Sequence, residues 1–333
     1  MKVLITGGAG FIGSTIASAC LDEGIEPIII DNLATGRPEF VTGRNFYQGD
    51  IGDGDLIDQV FADHPDIEAT IGCAALIVVP ESVAEPLRYY TVNVSKGLDL
   101  IGHLLRNGCE RFVFSSSAAI YAAGQGITEA APLEPMSPYA NTKAVFEKAL
   151  EDITGGTGLR AISLRYFNPI GADPKLRSGL QVRKPSHALG VMIDKYHADE
   201  PFPITGVDWQ TRDGSGIRDY VHVWDLARAH IAAVRRFDQV APAGPDSYRV
   251  INLGSGTGTT VFELVKAFEN VTGRPLATTV VGARPGDNAG AYPDITLAAE
   301  LLDWKPALSL EQGISDALAW FAHRDNVLDG GHV

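Results

Sequence analysis

The chain has 333 residues, which is enough for two domains or for one large domain with an appended lobe. Its net charge of −14 argues against a nucleic-acid-binding protein and against binding to an anionic membrane surface. Apolar residues make up 45% and charged residues 20%, as in soluble globular proteins. The sequence contains no apolar run long enough to predict a membrane-spanning helix.

The three cysteines, Cys20, Cys73 and Cys109, are far apart and lack the spacing of metal ligands. They suit a reducing compartment better than a disulfide framework. The N-terminal apolar run breaks into glycines too soon for the core of a signal peptide. We therefore expect a cytoplasmic protein without a metal site, a membrane partner or a nucleic-acid partner.

The first thirty residues have the pattern of one βαβ unit. An apolar run precedes Gly7-Gly-Ala-Gly-Phe-Ile-Gly13, a helical pattern follows to about Glu23, and residues 27–30 form the next predicted strand. Glycines here permit a tight turn, close approach to a pyrophosphate and packing of helix on strand, and the helix N-terminus offers free N–H groups to phosphates. A tight turn without a ligand is the alternative.

An acidic residue ends the second strand of this unit. Asp31 is placed to bind the adenosine ribose hydroxyls and to disfavour a 2′-phosphate, so the unit predicts NAD rather than NADP. Arg37 is the one nearby residue that would suit a 2′-phosphate.

Further strand and helix patterns alternate down to about residue 170, which predicts a parallel sheet covered by helices on both faces. Polar or small residues follow several predicted strands, namely Asp50, Ala74, Ser115 to Ser117, and Asn168. Ligands bind at the carboxyl ends of strands in such sheets, so we expect these residues at one edge. Each of them alone also suits a polar loop.

The composition changes after Gly171, and we predict a second, smaller lobe there. We expect a helix over 187–197, a strand over 218–224, a helix over 225–236 and a loop over 238–247. A strand over 250–253, a helix over 261–272 and helices after 294 and over 311–324 complete the chain. Residues 218–253 are expected to pack back onto the first domain, which spans residues 1–171.

A short stretch, Ser137-Pro-Tyr-Ala-Asn-Thr-Lys143, predicts a helix start, with Ser137 as N-cap and Pro138 in the first turn. Tyr139 and Lys143 are four residues apart and share a helix face. An ammonium beside a phenol lowers the pKa of the phenol, which would let Tyr139 act as a general base or acid near neutral pH. The alternative is an ordinary surface helix.

The chain resembles the extended short-chain dehydrogenase/reductase family, and within it the UDP-galactose (UDP-glucose) 4-epimerases, over nearly its whole length. The motifs that carry this resemblance are Gly7 to Gly13, Asp31-Asn-Leu33, Gly49-Asp-Ile51, Glu81-Ser-Val83, Ser115-Ser-Ser117, Tyr139 with Lys143, Arg165-Tyr-Phe-Asn168, Gly214 to Val223, and Asn252 to Gly256. The resemblance implies a Rossmann-type α/β fold with a doubly wound parallel sheet, and a C-terminal lobe, mainly residues 172–333, that binds a nucleotide-sugar.

The resemblance also implies a set of site residues. The family's NAD contacts fall on Gly7, Gly10, Phe11, Ile12, Gly13, Asp31, Asn32, Thr35, Gly36, Asp50, Ile51, Cys73, Ala74, Ala75, Ile77, Asn93, Ser115, Tyr139, Lys143 and Tyr166. Its UDP-sugar contacts fall on Ser117, Tyr139, Phe167, Asn168, His187, Arg218, Tyr220, Val261, Arg284, Asp287 and Ala291. Arg218 and Arg284 would bind the diphosphate, since the guanidinium fork suits phosphate.

In the implied reaction, Tyr139 takes the proton of the sugar 4-hydroxyl while C4 gives its hydride to NAD. Ser117 relays the proton, and Lys143 binds the nicotinamide ribose. The 4-keto sugar turns over and takes the hydride back on its other face, so the reaction is an epimerisation without net redox change. The resemblance further implies a homodimer formed through a helix bundle.

Several positions test the alternatives. Related dehydratases carry an Asp-Glu pair where this chain has Ala118 and Ala119, which favours an epimerase. Ile77 replaces a common lysine that reaches the cofactor. Ala291 stands where a bulky aromatic excludes substituents at C2, so we expect UDP-GlcNAc and UDP-GalNAc to be accepted beside UDP-Glc and UDP-Gal.

A basic cluster offers another alternative; it consists of Lys175, Arg177, Arg183 and Lys184. It suits a solvated loop, or else a site for the acidic sugar of a UDP-glucuronate 4-epimerase. An NAD-dependent nucleotide-sugar dehydrogenase that releases NADH and a non-catalytic NAD-binding sensor are the remaining alternatives.

Overall fold

The computed structural model describes residues 1–283 and 288–328. Its strands are β1 Lys2–Thr6, β2 Glu26–Asp31, β3 Asn45–Gln48, β4 Ile67–Gly72, β5 Arg111–Ser115, β6 Gly124–Ile127, β7 Arg160–Tyr166, β8 Asn168–Ile170, β9 Phe202–Thr205, β10 Ile217–Arg218, β11 Tyr220–His222, β12 Tyr248–Leu253, β13 Thr259–Thr260, β14 Thr278–Val281 and β15 Gly290–Pro293. Its α-helices are α1 Phe11–Asp22, α2 Gly54–Asp63, α3 Val79–Ala84, α4 Pro86–Tyr90, α5 Lys96–Arg106, α6 Pro138–Gly156, α7 Ala188–His197, α8 Val223–Arg235, α9 Phe237–Val240, α10 Val261–Thr272, α11 Thr296–Leu302 and α12 Leu310–Leu328.

A seven-stranded parallel sheet in the order β3-β2-β1-β4-β5-β7-β12 forms the centre of the molecule. Alternate side chains of β1 face opposite layers: Val3 and Ile5 pack with α1 and α8, whereas Leu4 packs with α2, α5 and α6. Both faces are therefore buried, as in other parallel sheets. The strand order reverses between β1 and β4, which is where such folds bind ligands. The predicted α/β, Rossmann-type doubly wound fold is confirmed.

The second half of the chain returns to this sheet through β12, which pairs in parallel with β7 from Tyr248↔Ala161 to Leu253↔Tyr166. A separate core lies among α7, α10 and α12 and contains Ile193, Phe268 and Ile314. The boundary at residue 171 remains a prediction. None of the helices in the described part of the chain is both long and apolar enough to cross a lipid bilayer.

The segment predicted as one strand over 218–224 is divided in the structure. β10 pairs with β13 and β15, whereas β11 pairs with β8, so the two strands belong to different sheets. Asp219 separates them because its carboxylate accepts hydrogen bonds from the backbone N–H groups of Ser255 (2.7 Å) and Gly256 (2.9 Å). α8 begins earlier than predicted, at Val223, and His222 is its N-cap. The first residues of the predicted loop over 238–247 are helical instead, because α9 extends to Val240.

Residues 87–106, whose apolar spacing indicates a helix, are helical but irregular. A π-helical turn, Thr91–Ser95, joins α4 to α5. Asn93 lies in this turn, and its side chain accepts from Leu76 N at 2.8 Å and donates to Leu76 O at 2.9 Å and to Thr142 Oγ1 at 3.0 Å. The wide turn thus lets Asn93 fix the loop after β4 against α6, in keeping with the frequent use of such turns near functional sites.

Candidate active site

The glycine-rich loop between β1 and α1 is shaped by close backbone approaches. Gly7 has φ +71°, and a Cβ there would lie 2.7 Å from Ala74 N. A Cβ on Gly13 would lie 2.2 Å from Gly7 O, so only glycine lets α1 approach the turn. Gly10 is the N-cap of α1 and provides no side-chain cap. The N–H groups of Phe11 and Ile12 at this helix start are therefore available to an anion, as a dinucleotide pyrophosphate requires.

Asp31, at the end of β2, organises the next part of this edge. Its buried carboxylate accepts hydrogen bonds from Ala9 N at 3.0 Å and Leu33 N at 2.8 Å. Burial raises the pKa of Asp31, and the two backbone hydrogen bonds oppose that rise. A Cβ on Gly36 would lie 2.8 Å from Asp31 Oδ1, so this glycine leaves room beside the carboxylate.

Two neighbours complete this part of the site. Asn32 donates to Asp50 Oδ2 at 3.1 Å, and Lys96 binds the same carboxylate at 2.8 Å, so the ends of β2 and β3 are joined. Thr35 O accepts from Gln181 Nε2 at 2.9 Å. Ile51, which follows Asp50, is buried in the core.

Arg37 forms an ion pair and a hydrogen bond within the protein. Its guanidinium pairs with Glu39 at 3.3 Å and donates to Leu328 O at 3.3 Å, at the end of α12. The Glu39 carboxylate offsets the positive charge that a 2′-phosphate would need, which agrees with the preference for NAD drawn from Asp31.

Ser115, at the end of β5, is the centre of a buried hydrogen-bond chain. Its hydroxyl lies 3.1 Å from Cys73 Sγ and 3.1 Å from His230 Nε2. His230 Nδ1 lies 2.8 Å from Leu226 O, which can only accept, so Nδ1 carries the proton and Nε2 accepts from Ser115. Burial lowers the pKa of His230 to about 4, which keeps the imidazole neutral at pH 7.

His230 was not among the residues singled out by sequence reasoning. The available signal was a histidine on the apolar face of the predicted helix over 225–236, and a buried histidine usually has a fixed hydrogen-bond partner. The loop after β4 that carries Cys73 continues through Ala74 and Ala75 to Ile77, which is 62% exposed. Ile77 therefore presents an apolar side chain to solvent at the position where the family resemblance implies a lysine.

The predicted catalytic helix is present as α6. The Ser137 hydroxyl accepts from Ala140 N at 3.2 Å, and Pro138 is the first residue of the helix, as the sequence predicted. Lys143 is 4% exposed and donates to Ser115 O at 2.8 Å. Burial lowers the pKa of Lys143 to about 8.

The side chains of Tyr139 and Ser117 lie close enough to interact, which brings two of the three predicted catalytic residues together. Burial raises the pKa of Tyr139, and the nearby Ser117 hydroxyl opposes that rise. The expectation that Lys143 lowers the pKa of Tyr139 is therefore wrong for the protein alone. The physical reason is that the Lys143 ammonium is directed at the Ser115 carbonyl oxygen, and desolvation of the phenol dominates.

The residues expected to contact the sugar lie at the same edge. Ala291 on β15 is in register with Arg218 on β10. It also packs against a cluster that contains Tyr121 and Phe167. Asn168 donates through its amide to Asp219 O at 2.9 Å.

The other expected substrate contacts lie after residue 171 in the chain. His187 caps α7 by accepting from Gly190 N at 3.2 Å, Val261 begins α10, and Tyr220 is buried on β11. The Arg218 guanidinium donates to Ile217 O at 2.8 Å. Arg284 and Asp287 lie outside the described residues.

The basic cluster of residues 175–184 is paired with carboxylates. Lys175 and Arg177 bind Asp22 on α1 at 2.8 and 2.9 Å, and Arg177 also binds the buried Asp173 at 2.5 Å. Arg183 lies 3.2 Å from Asp325 on α12, and Lys184 is exposed. Paired cations of this kind agree with the solvated-loop interpretation rather than with a site for an acidic sugar.

A sequence model of the NAD dependent epimerase/dehydratase family matches residues 3–254. The chain belongs to this family. The resemblance drawn from the motifs is thus confirmed, and the family's NAD dependence agrees with the glycine loop and Asp31.

Members of the epimerase/dehydratase family align with nearly the whole chain. UDP-glucose 4-epimerase of Azospirillum brasilense is 40% identical over 324 residues, covering 96% of this chain and 91% of that protein. The crystal structure of UDP-glucose-4-epimerase from Stenotrophomonas maltophila with bound NAD and formylated UDP-arabinopyranose has a TM-score of 0.92 and 34% identity, covering 98% and 99% of the two chains. UDP-glucose 4-epimerase from Bifidobacterium longum, in complex with NAD+ and UDP, has a TM-score of 0.88 and 33% identity, covering 98% and 100%.

Proposed function

We propose that this chain catalyses the NAD-dependent, reversible epimerisation of a UDP-hexose at C4, through a 4-keto intermediate. The observation that carries the proposal is the joint placement of Tyr139, Ser117 and Lys143 beside a dinucleotide loop, in a chain collinear with UDP-glucose 4-epimerases. Bound NAD supplies the hydride acceptor for C4 and a cationic ring that favours the Tyr139 phenolate. The glycine loop, the uncapped start of α1 and Asp31 would hold it.

The protein's own residues handle the proton and the position of the sugar. Tyr139 would accept the proton of the 4-hydroxyl, and Ser117, whose side chain lies beside Tyr139, would relay it. Lys143, fixed to Ser115 O, provides the cation of the site. Ala118 and Ala119 follow Ser117 and supply no acid or base to expel a group from the sugar. The ketone is therefore reduced again at C4.

We assign the diphosphate to Arg218 together with Arg284, and the sugar to the surface formed by Phe167, Asn168 and Ala291. Ala291 packs against the cluster that contains Phe167 with only a methyl group, so we infer that a C2 N-acetyl group is accepted. The contacts of the basic cluster favour neither a glucuronate substrate nor another acidic sugar.

Purified protein should release NAD on denaturation and should convert UDP-galactose to UDP-glucose without added cofactor. Tyr139→Phe should lower kcat by about 10²–10⁴-fold, which is the usual contribution of a positioned acid or base. Tyr196→Phe, which changes a tyrosine packed in the second lobe against Phe268, serves as the matched control. Steady formation of free NADH would indicate a dehydrogenase, and released NAD without turnover would indicate a sensor.

We further propose a homodimer through the surface of α4, α5 and α6. Exposed apolar side chains lie along these helices: Leu87 is 79% exposed, Leu98 37% and Val145 44%. Large exposed apolar residues on adjacent helices are typical of a subunit contact. Sedimentation velocity should give a dimer that Leu87→Glu converts to a monomer; a wild-type monomer would contradict this assignment.

Two broader assignments complete the proposal. Residues 1–171 with 218–253 would form the NAD-binding domain, and the remainder of 172–333 mainly the nucleotide-sugar lobe. The three cysteines are free thiols, which supports a cytoplasmic location in a reducing compartment.

A further inference from the structure

Three consecutive serines at the end of β5 face three different positions of α6. The Ser117 side chain lies beside Tyr139, and the Ser115 carbonyl oxygen accepts a hydrogen bond from Lys143 at 2.8 Å. Ser116, whose side chain is 1% exposed, donates its hydroxyl proton to Glu147 Oε1. Only the Ser117 and Lys143 contacts involve residues expected to touch the substrate or the cofactor. The Ser116 contact has no such role.

Glu147 lies one turn beyond Lys143 on the same face of α6 and is 4% exposed. Its carboxylate also accepts from Arg165 Nε, at 3.0 Å to Oε1 and 3.1 Å to Oε2. Arg165, 5% exposed, is on β7 directly before Tyr166. One carboxylate therefore connects α6, β7 and the serine segment inside the protein.

The Nη1 group of Arg165, which does not contact Glu147, is also hydrogen-bonded. Arg165 Nη1 donates to the Tyr121 hydroxyl oxygen at 2.6 Å, and Tyr121 donates to Asn252 Oδ1 on β12 at 2.9 Å. Asn252 in turn donates through its backbone N–H to Glu129 Oε1 at 2.7 Å. A buried polar network in which every member is paired is rigid. Arg165, which binds Glu147, is therefore itself fixed in position by its other hydrogen bonds.

We propose that Ser116, Glu147 and Arg165 form a positioning clamp that keeps Tyr139 and Ser117 at reacting distance. The proposal rests on the proposed epimerase function. Tyr139 is in the first turn of α6, a part of a helix that frays unless its side chains are anchored. The clamp anchors the same helix face two turns further on and anchors the serine segment at the residue next to Ser117.

The chemistry depends on this distance because Ser117 transfers a proton between the substrate hydroxyl and Tyr139. A misplacement of about 1 Å in such a group costs about 100-fold in rate. Loss of the clamp therefore reduces turnover without removing any group that touches the substrate, whereas affinity for the UDP part of the substrate stays the same.

Ser116→Ala tests the clamp, because it removes one hydroxyl and leaves the Glu147–Arg165 ion pair intact. We expect kcat for UDP-galactose to fall about tenfold, with KM within twofold of wild type and NAD content unchanged. Ser163→Ala is the matched control: Ser163 is equally buried in β7, and its hydroxyl bonds Tyr248 at 3.0 Å instead of α6. Equal kcat in the two serine variants would overturn the clamp.

Glu147→Gln is a second test, with a larger expected effect: kcat should fall about 100-fold. It leaves Arg165 without its anion, so the fold is checked by thermal unfolding. Glu151→Gln, one turn further along α6 and exposed, is its control and should leave kcat unchanged. A Glu147→Gln variant that folds and keeps wild-type kcat contradicts the proposal.

Hydrogen exchange separates this proposal from the epimerase assignment. Amides of residues 115–121 should exchange faster in Ser116→Ala than in wild type, and not in Ser163→Ala. If the wild-type protein lacks epimerase activity, the proposed function fails and the clamp is judged by exchange alone. Unchanged exchange over residues 115–121 would then overturn it.

Discussion

Ala291 is a small residue at the position that we propose selects the sugar by its size. It is in register with Arg218 on the neighbouring strand and packs against the cluster that holds Phe167. An aromatic ring at this position would occupy far more volume than the methyl group of alanine.

Ala291→Tyr is therefore expected to lower kcat/KM for UDP-GlcNAc at least tenfold relative to UDP-glucose. The measurement is a paired epimerisation assay of the two sugars with one preparation, so that UDP-glucose turnover controls for folding. A proportional loss for both sugars would mean that the ring disturbs the site in general and that position 291 does not select the sugar.

At the level of residues, sequence reasoning succeeded where the partners are close in the chain. Tyr139 and Lys143 are four residues apart on one helix, so their common face follows from helix geometry alone. By contrast, His230 forms its hydrogen bond with Ser115, which is 115 residues away in the chain. Glu147 on α6 likewise binds Arg165, which lies on β7. Such pairs are set by the packing of elements, which no local pattern contains.

The loop from β1 into α1 is the element whose shape depends most on the absence of side chains. A Cβ at Gly13 would lie 2.2 Å from Gly7 O, and both atoms belong to the backbone, so neither can move independently. α1 would have to shift away from the turn, and with it the N–H groups that we propose bind the phosphates of NAD.

Gly13→Ala should consequently reduce the NAD that copurifies with the protein to less than about a tenth. The measurement is the molar ratio of NAD to protein after denaturation. Gly102→Ala is the matched control because a Cβ at Gly102 in α5 meets no atom within 4 Å. That control should keep its NAD and gain about 0.5–1 kcal/mol in stability, since alanine favours a helix interior. Similar NAD loss in both variants would contradict the assignment.

Long, periodic elements were predictable and short paired strands were not. α10 begins and ends at the predicted residues because Thr260 and Glu263 form a capping box and Gly273, with φ +67°, ends the helix. β10 has two residues and is a strand only because β13 and β15 lie beside it. β6 and β15 were missed for the same reason: their hydrogen-bond partners come from distant parts of the chain.

Whole-molecule stability should respond to acid through His230. Its pKa of about 4 in the folded protein lies below the ordinary value near 6.5, so the unfolded chain takes up the proton first as the pH falls. The stability that the neutral imidazole contributes is complete above pH 6.5 and is lost as the pH falls toward 4.

Between pH 7 and pH 5 the wild-type protein should therefore lose about 2 kcal/mol more stability than His230→Gln, which cannot take up this proton. Denaturant unfolding of both proteins at the two pH values measures this difference directly. Carboxylates that titrate in the same range act on both proteins and cancel in the comparison. Equal losses would show that His230 is not buried in its neutral form.

The return of β12 to the first sheet, and of α12 to the neighbourhood of β2, has a consequence for synthesis on the ribosome. The partner strand of β7 is translated about 80 residues later. The Phe40 ring, whose centre lies 5.7 Å from that of Trp320, can pack against it only after residue 320 has been translated. At a translation rate of 5–20 residues per second, the nascent N-terminal half exposes an open sheet edge for several seconds. A chain interrupted before residue 248 is thus expected to be a substrate for chaperones rather than a stable domain.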